Sequence, residues 1–379
     1  MKSLHAMTLL LVAAAASCVL GEEPMGSPQT LRQAAGDRLL IGTAVMSKEL
    51  EDPSLAKLNA EQFHCMTPGN EMKPDNVQKV KGKFTFERAD KIVAFAQAND
   101  MKVIGHTLVW HNQAPKWLFE DEQGKPLPRG VALDNMKEHI TTVVRHFKGK
   151  VKGWDVVNEA IADGGPSDLR DTPALRAIGD DYLIKAFEFA HAADPDVELY
   201  YNDYNIEADY KRERALRVIR RLQAAGVRLD GVGVQGHWLL NADVNKIEAG
   251  LKPYFALGVH VMITELDIDP LPRKKGASAD LSATEKEGLD PYKDGLPDEV
   301  QQQLAKRYGE VFAMLLRHPQ VTRITLWGTH DGGTWLNNWP TKGRTNHPLL
   351  WDRQLQPKPA RDAVLQSLAG PAATQQKQN

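Results

Sequence analysis

Two glutamates, each near the end of an apolar run, are the side chains in this sequence best placed to do chemistry. Glu159 closes the run GWDVVNE, and Glu265 lies near the end of HVMITELDI. An ionised carboxylate buried without a partner is costly, so each glutamate is expected to face a cleft rather than the core. Two carboxyl groups across a cleft can hydrolyse a glycosidic bond if their surroundings push their pKa values apart, leaving one protonated and the other ionised.

The elements that must position these glutamates are read from eight short apolar runs, which alternate with longer amphipathic segments. The runs cover residues 39–45, 64–70, 102–110, 151–159, 198–205, 231–238, 260–268 and 323–328. Segments such as 182–193 and 216–226 repeat apolar residues every three to four positions, which is typical of helices. Alternating strands and helices predict parallel pairing, and eight such units predict an α/β fold with a single (β/α)8 TIM barrel. An open doubly wound sheet is the alternative, but it would need a glycine-rich phosphate loop after the first strand, and IGTAVMS does not provide one.

Polar residues gather at the C-terminal ends of the predicted strands. These ends are Asn70-Glu71, His106 to Trp110, Asn158-Glu159, Asn202-Asp203, Gln235 to His237, Glu265 to Asp267, and Trp327. In a (β/α)8 barrel these ends converge on one face, where the catalytic residues of such barrels lie. Asn158 and Glu159 are adjacent and both should point into the site, so regular alternation must break there. We therefore expect a bulge or a strand end at Asn158.

The N-terminal residues differ in character from the rest of the chain. Lys2 precedes the apolar run MTLLLVAAAASCVL, which is too short to span a bilayer comfortably. This pattern predicts a signal peptide over residues 1–21, with either ordinary cleavage after Gly21 or a lipobox that ends at Cys18. A lipid on Cys18 would anchor the protein to a membrane without spanning it. We expect an exported protein that is secreted, periplasmic or lipid-anchored to the bacterial envelope.

Charge, cysteine content and polar segments limit the partners of the chain. A net charge of −2 gives no sign of the basic surface that nucleic-acid-binding proteins carry.

The chain has two cysteines, and if Cys18 is removed or lipidated, Cys65 has no disulfide partner and should be a small core residue. The polar segment 270–300 is expected to be a surface excursion on the active-site face, and residues 370–379 a disordered tail. We expect a monomer with no obligate protein partner.

Six motifs together resemble glycoside hydrolase family 10, the endo-β-1,4-xylanases. They are WDVVNEA, ITELDI, GHTLVWHNQ, NEMKPD, GVGVQGHW and WLNNWP, and the resemblance covers residues 29–368. It implies a retaining double displacement that hydrolyses internal bonds of xylan, or of xylo-oligosaccharides, without a cofactor. By motif, Glu159 would be the general acid/base and Glu265 the nucleophile.

Further positions match residues that support catalysis or bind sugar in that family. His237 should hydrogen-bond Glu265 and hold it in line, Asp267 could orient His237, and Asn158 resembles the family's donor to the sugar 2-hydroxyl. The sugar-binding matches are Asn70, Glu71 and Lys73 for the glycone wall, His106, Trp110 and Gln235 around the bond that is broken, and Trp327 and Trp335 as aromatic faces. One segment, TPGNEMKPD, departs from the family, which usually has Glu at the position of Gly69 and often Trp at that of Pro74. The resemblance therefore leaves the distal glycone subsites undefined.

Three other functions would suit a barrel of this kind. A β-1,4-glucan hydrolase of the same clan stays open, because the sequence does not give the room available for the hydroxymethyl group of glucose. A metal-dependent hydrolase needs ligands such as His-x-His on the first strand, and LLIGTAV has no histidine. A non-catalytic glycan-binding protein would not need both Glu159 and Glu265.

Overall fold

A closed ring of parallel strands forms the centre of the fold in the computed structural model, which describes residues 29–272 and 290–370. The strands found there are β1 (Leu40–Val45), β2 (Cys65–Pro68), β3 (Lys102–Val109), β4 (Gly153–Asn158), β5 (Glu198–Asp203), β6 (Gly231–Val234), β7 (His237–Leu239), β8 (His260–Asp269) and β9 (Val321–Leu326). Strands β1 to β6 pair in chain order, and the ring closes through parallel pairs of β6 with β8, β8 with β9, and β9 with β1. The predicted (β/α)8 TIM barrel is confirmed.

The predicted run 231–238 is two strands rather than one. β6 ends before Gly236, whose φ of 80° lies in the left-handed region that glycine adopts without steric penalty. The chain turns there, and β7 pairs only with the outer end of β8, where His237 lies opposite Asp267. The prediction of a single strand is therefore wrong. The break brings His237 alongside the end of β8, close to Glu265.

Helices follow the strands and cover the outside of the barrel. In the described residues they are α1 (Leu31–Ala35), α2 (Pro53–Gln62), α3 (Pro74–Val77), α4 (Glu87–Ala98), α5 (Arg129–His146), α6 (Pro173–Ile178), α7 (Tyr182–Ala193), α8 (Asp209–Ala224), α9 (Val244–Phe255), α10 (Asp298–Leu315) and α11 (Pro359–Ala369). α5 illustrates the packing, because Ala132, Met136, Ile140 and Val143 recur at helical spacing and are buried. None of the helices in the described residues is both long and apolar enough to cross a membrane.

The main apolar core lies between the strand ring and the surrounding helices. Large buried side chains such as Trp154 on β4, Phe187 on α7 and Phe312 on α10 belong to it. Cys65 is fully buried and free, as expected for a small core residue, and burial raises the pKa of its thiol to about 11. A thiol of that kind is inert as a nucleophile at neutral pH.

Three predicted features lie wholly or partly outside the described residues. They are the signal peptide at 1–21 with its alternative lipidation at Cys18, the stretch 273–289 of the polar segment, and the tail after Gly370. Each stays a prediction. The described part of the polar segment leads into α10, which begins at Asp298.

Candidate active site

A cleft at the carboxyl ends of the barrel strands brings together most of the predicted site residues. Those that line it are Asn70, Lys73, His106, Trp110, Asn158, Glu159, Gln235, His237, Glu265, Trp327 and Trp335. Glu71 and Asp267 lie behind the wall of this cleft, and each contacts a residue that lines it. The convergence follows from the parallel barrel, which sends every strand out through the same face.

The end of β4 has the break that two adjacent site residues require. The strand ends at Asn158, and Glu159 has a left-handed φ of 57°. A residue with a β-carbon is disfavoured there by roughly 1–2 kcal/mol, so neighbouring contacts must hold it. The Glu159 N–H donates to the Asn202 carbonyl at 2.9 Å, and Arg170 Nε donates to the Glu159 carbonyl at 3.2 Å. The predicted strand end is confirmed, and both side chains face the cleft.

The Glu159 carboxyl is buried but accepts hydrogen bonds on both oxygens. Trp110 Nε1 donates to Oε2 at 2.9 Å, and Gln235 Nε2 donates to Oε1 at 2.9 Å. Burial raises the pKa of this carboxyl to about 7, the Asp203 carboxylate adds to the rise, and the two hydrogen bonds oppose it. Glu159 can therefore be protonated below about pH 7 and ionised above it. A group that acts first as a general acid and then as a general base must be able to change its protonation state in this way.

The Glu265 carboxyl is held in the opposite state. Asn202 Nδ2 donates to its Oε1 at 2.9 Å, and His237 Nε2 lies 3.3 Å from its Oε2. Burial alone would raise the pKa of Glu265, but the hydrogen bond and charge of His237, together with the charge of Lys73, hold that pKa below its ordinary value. Glu265 is thus ionised wherever Glu159 is protonated near neutral pH. Two carboxyls in one cleft with their pKa values pushed apart can act as nucleophile and acid.

Behind Glu265, a charged imidazole is held by a second carboxylate. His237 Nδ1 lies 3.1 Å from Asp267 Oδ2, and the two groups form a buried ion pair. Burial would lower the pKa of His237, but the charges of Asp267 and Glu265 outweigh it and raise that pKa to about 10. Asp267 Oδ2 also accepts a hydrogen bond from Trp335 Nε1 at 2.7 Å. Asp267 therefore contacts both His237 and Trp335, one of the predicted aromatic faces. His237 therefore carries its positive charge toward Glu265.

Asn202 links the two carboxyls, although the sequence did not single it out as a site residue. Its Nδ2 donates to Asn158 Oδ1 at 2.9 Å as well as to Glu265, and Asn158 Nδ2 donates to Glu159 Oε1 at 3.3 Å. Thr264 Oγ1 donates to Asn202 Oδ1 at 2.6 Å and so fixes the orientation of that amide. The signal available in the sequence was its position at a polar strand end. Its partners follow from the register that places Asn202 beside Asn158.

A buried ion network supports the turn that carries Glu159, and of its members only Asp203 stood out in the sequence, as a polar residue at a strand end. Lys211 is fully buried, with Nζ 2.8 Å from Asp203 Oδ1 and 3.0 Å from Asp163 Oδ1. Asp203 Oδ2 accepts from the Ile161 N–H at 3.1 Å and from the Tyr201 hydroxyl at 2.5 Å. The network therefore both holds the backbone just after Glu159 and places a carboxylate near its side chain.

Replacing Asp203 by asparagine is expected to shift the alkaline limb of the kcat/KM–pH profile to lower pH. Asp203 raises the pKa of Glu159, and activity is lost as pH rises through that pKa because the acid loses its proton. Loss of one partner of buried Lys211 should also lower the free energy of unfolding, by on the order of 3 kcal/mol. The matched control is Asp209→Asn, at an exposed carboxylate, which should leave the limb in place. An unmoved limb in a folded Asp203→Asn variant would refute this role.

The wall on the β1 and β2 side of the cleft carries a cation. Lys73 Nζ donates to Asn70 Oδ1 at 3.0 Å and to Gln113 Oε1 at 2.8 Å, and it lies 4.9 Å from the Trp110 ring centroid. Burial lowers the pKa of Lys73 to about 8, against the charges of nearby carboxylates. Glu71 accepts from the Ser47 and Asn70 N–H groups at 2.7 and 3.2 Å. Glu71 thus fixes the loops of the wall, and Lys73 can donate a third hydrogen bond into the cleft.

His106 lines the cleft and is held by a buried carboxylate and an aromatic ring. Its Nδ1 is 2.9 Å from Asp155 Oδ2, and its ring meets that of Trp327 edge to face at 5.4 Å between centroids. Trp327 also approaches His237, at 6.4 Å between centroids. These contacts fix the His106 imidazole, which is predicted to lie near the bond that is broken, beside the predicted aromatic face of Trp327.

Comparison with known proteins places this arrangement in a family. The model of "Glycosyl hydrolase family 10" matches residues 30–367. The endo-1,4-β-xylanase A of Xylanibacter ruminicola is 41% identical over 337 residues, spanning 87% of this chain and 91% of that protein. A solved endoxylanase of the same family, retrieved from a sugarcane soil metagenome, superposes with a TM-score of 0.83 at 40% identity, covering 89% of this chain and 99% of its own. A further solved relative, a variant in complex with xylotriose, has a TM-score of 0.80 at 34% identity, with 89% and 99% coverage.

The sequence match extends over the whole described barrel, and the structural match preserves the parallel strand ring that forms the cleft. The chain therefore belongs to glycosyl hydrolase family 10.

Proposed function

We propose that this chain is an endo-1,4-β-xylanase that hydrolyses internal β-1,4-xylosidic bonds with retention of anomeric configuration. The observation that carries the proposal is the pair of cleft carboxyls with pKa values shifted in opposite directions, Glu159 upward and Glu265 downward. The xylanase activity of the relatives and the xylotriose bound to one of them favour xylan and xylo-oligosaccharides as the substrates.

In the first step, Glu265 attacks the anomeric carbon of the xylose unit on the glycone side. A bond forms between a Glu265 oxygen and that carbon, while the bond from the carbon to the leaving oxygen breaks. Glu159 transfers its proton to the leaving oxygen, so the aglycone departs as a neutral alcohol. The hydrogen bonds from Asn202 and His237 keep Glu265 ionised and aligned for attack.

In the second step, water replaces Glu265 on the same carbon. Glu159, now ionised, takes a proton from the water as its oxygen bonds to the anomeric carbon, and the ester bond to Glu265 breaks. Both carboxyls return to their starting protonation states. Asn158, which lies between the two through its contacts with Glu159 and Asn202, is the proposed donor to the sugar 2-hydroxyl.

The remaining cleft residues are proposed to bind sugar. Asn70 and Lys73 form a polar wall on the glycone side, and Trp327 and Trp335 offer half-buried aromatic faces. Xylose presents only hydroxyls and an apolar ring face, and this mixture of amide, ammonium and indole groups suits both. Glu71 contributes by holding the wall rather than by touching the substrate.

Purified enzyme should release reducing sugar from xylan much faster than from carboxymethylcellulose. The physical reason is steric, because glucose carries a hydroxymethyl group that xylose lacks, and a cleft fitted to xylose excludes it. Initial rates on both polymers at matched mass concentration measure the preference. Comparable or greater release from carboxymethylcellulose would favour the β-1,4-glucanase alternative.

Export is proposed from the sequence pattern of residues 1–21, and the mature protein is proposed to be a monomer. The intact mass of the mature protein distinguishes cleavage after Gly21 from a lipid-modified Cys18, and light scattering after gel filtration tests the monomer. A mature chain that retains residues 1–21 would overturn the signal peptide.

A further inference from the structure

Three described residues that line the cleft carry carboxyl groups, and the mechanism uses only two of them. The third is Glu49, in the 3₁₀ turn Glu49–Glu51 that follows β1. We infer that Glu49 binds a hydroxyl of a glycone sugar beyond the one attached to Glu265, and so sets specificity for longer substrates. The inference rests on the proposed xylanase function and deepens it.

The turn holds Glu49 with one oxygen committed and one available. Glu49 Oε2 accepts from the Met46 N–H at 2.7 Å, and the Glu49 N–H donates back to the Met46 carbonyl at 2.9 Å. This reciprocal pair fixes the direction of the side chain, which is half-buried. Oε1 accepts no hydrogen bond from the described residues and is not enclosed. A fixed carboxyl with one free oxygen is ready to accept from a hydroxyl.

Gly333 lies beside the Oε1 atom of Glu49. Because Gly333 has no side chain, it leaves the space that Oε1 occupies. A β-carbon built on Gly333 would lie 2.7 Å from Glu49 Oε1, which is closer than a side chain can tolerate. Gly333 also lines the cleft, in the loop after β9. The bare backbone at this position therefore lets the carboxyl reach the cleft edge.

The neighbouring wall has no polar side chain at Gly69, which makes Glu49 the acceptor on this side. The Met46 side chain fills that place, since a β-carbon on Gly69 would lie 3.0 Å from Met46 Cε. Asn70 Oδ1 is already engaged by Lys73 and Gln113. An ammonium donor at Lys73 and a carboxylate acceptor at Glu49 on one wall match the vicinal hydroxyls of a xylose ring.

The position of Glu49 relative to the catalytic acid selects the glycone end. Glu159 projects from β4, and the residues that hold it come from β3 and the end of β6. The leaving group must lie where it can receive the Glu159 proton, so the retained sugars extend toward the β1, β2 and β9 side. Glu49, after β1, and Gly333, after β9, lie on that side.

The test compares 4-nitrophenyl β-glycosides with one, two and three xylose units. For Glu49→Ala, kcat/KM on the two- or three-unit substrate should fall roughly 10-fold or more, the scale of a lost charged hydrogen bond, with little change on the one-unit substrate. Glu49→Gln keeps the Met46 contact and a neutral hydrogen bond, so its loss should be smaller. Glu51→Gln, at an exposed glutamate of the same turn, is the matched control.

Gly333→Ala provides an independent arm that leaves Glu49 in the chain. Its β-carbon should displace the Glu49 carboxyl and reproduce the selective loss on longer substrates. Two outcomes overturn the inference, provided that the wild type prefers the longer substrates. In one, kcat/KM of the variants falls by the same factor on all three substrates. In the other, it does not fall on any of them. Failure of the wild type to cleave any xylose glycoside or xylan would instead overturn the proposed function.

Discussion

Replacing Glu265 by alanine is expected to abolish xylan hydrolysis, lowering kcat by at least about 10⁴-fold, the scale on which removal of a nucleophile acts. The variant keeps His237 and Asn202 but has no oxygen to bond to the anomeric carbon. Steady-state rates on xylan and on an activated aryl xylobioside measure the loss. Because the first step itself is removed, a better leaving group should not restore it.

Added azide separates a lost nucleophile from a damaged fold. In Glu265→Ala it can enter the space left by the carboxylate and attack the anomeric carbon directly, giving the α-xylosyl azide with a single inversion. Glu299→Ala, in the first turn of α10, is the matched surface control. Full activity of a folded Glu265→Ala variant, or a β-azide product from it, would show that another group is the nucleophile.

Replacing Glu159 by alanine should have an effect that depends on the leaving group. On xylan, loss of the acid should lower the rate by about 10²–10⁴-fold, the usual range for general acid–base catalysis. A dinitrophenyl xylobioside needs no protonation, so its first step should stay fast and the glycosyl-enzyme should accumulate. Dinitrophenol release followed by stopped-flow absorbance should therefore show a pre-steady-state burst and then slow turnover.

The same variant should lose the alkaline limb of its pH profile. In the wild type that limb reports the Glu159 pKa of about 7, so activity on xylan falls as pH rises through it. Azide should accelerate turnover of the aryl substrate and give the β-xylosyl azide, since it attacks the intermediate from the side that water uses. Glu188→Ala, at a surface glutamate paired with Lys185, is the control. A retained limb near neutral pH would assign the acid elsewhere.

The strands and the placement of Glu159 and Glu265 in the cleft could be predicted from the sequence because their signals are local. An apolar run ending in Asn158-Glu159 identifies a strand end, and adjacency alone requires the alternation to break, as the φ of Glu159 confirms. The division of the run 231–238 was missed because its apolar pattern is continuous. What breaks it is the backbone conformation of Gly236, and glycine is compatible with both outcomes.

The supporting contacts could not be predicted because they join distant strands. Asn202 serves both carboxyls only through the register of β5 between β4 and β6, which no single run encodes. Lys211 lies on a helix whose sequence, DYKRERALRVIRR, suggests an exposed basic face, yet Lys211 is fully buried against Asp203. Glu49 belongs to no motif, and its access to the cleft depends on Gly333, far along the chain.

The nucleophile of the proposed mechanism is identified most directly by trapping the glycosyl-enzyme and finding the residue that carries the sugar. A dinitrophenyl 2-deoxy-2-fluoro-β-xylobioside slows both steps, because fluorine destabilises the oxocarbenium-like transition state, while the activated leaving group keeps the first step the faster. Mass spectrometry of the intact enzyme and of its peptic peptides then locates the label. We predict one xylobiosyl unit per chain, esterified to Glu265. A label on another carboxyl such as Glu159, or turnover of natural substrate with inversion and no trapped ester, would contradict the mechanism.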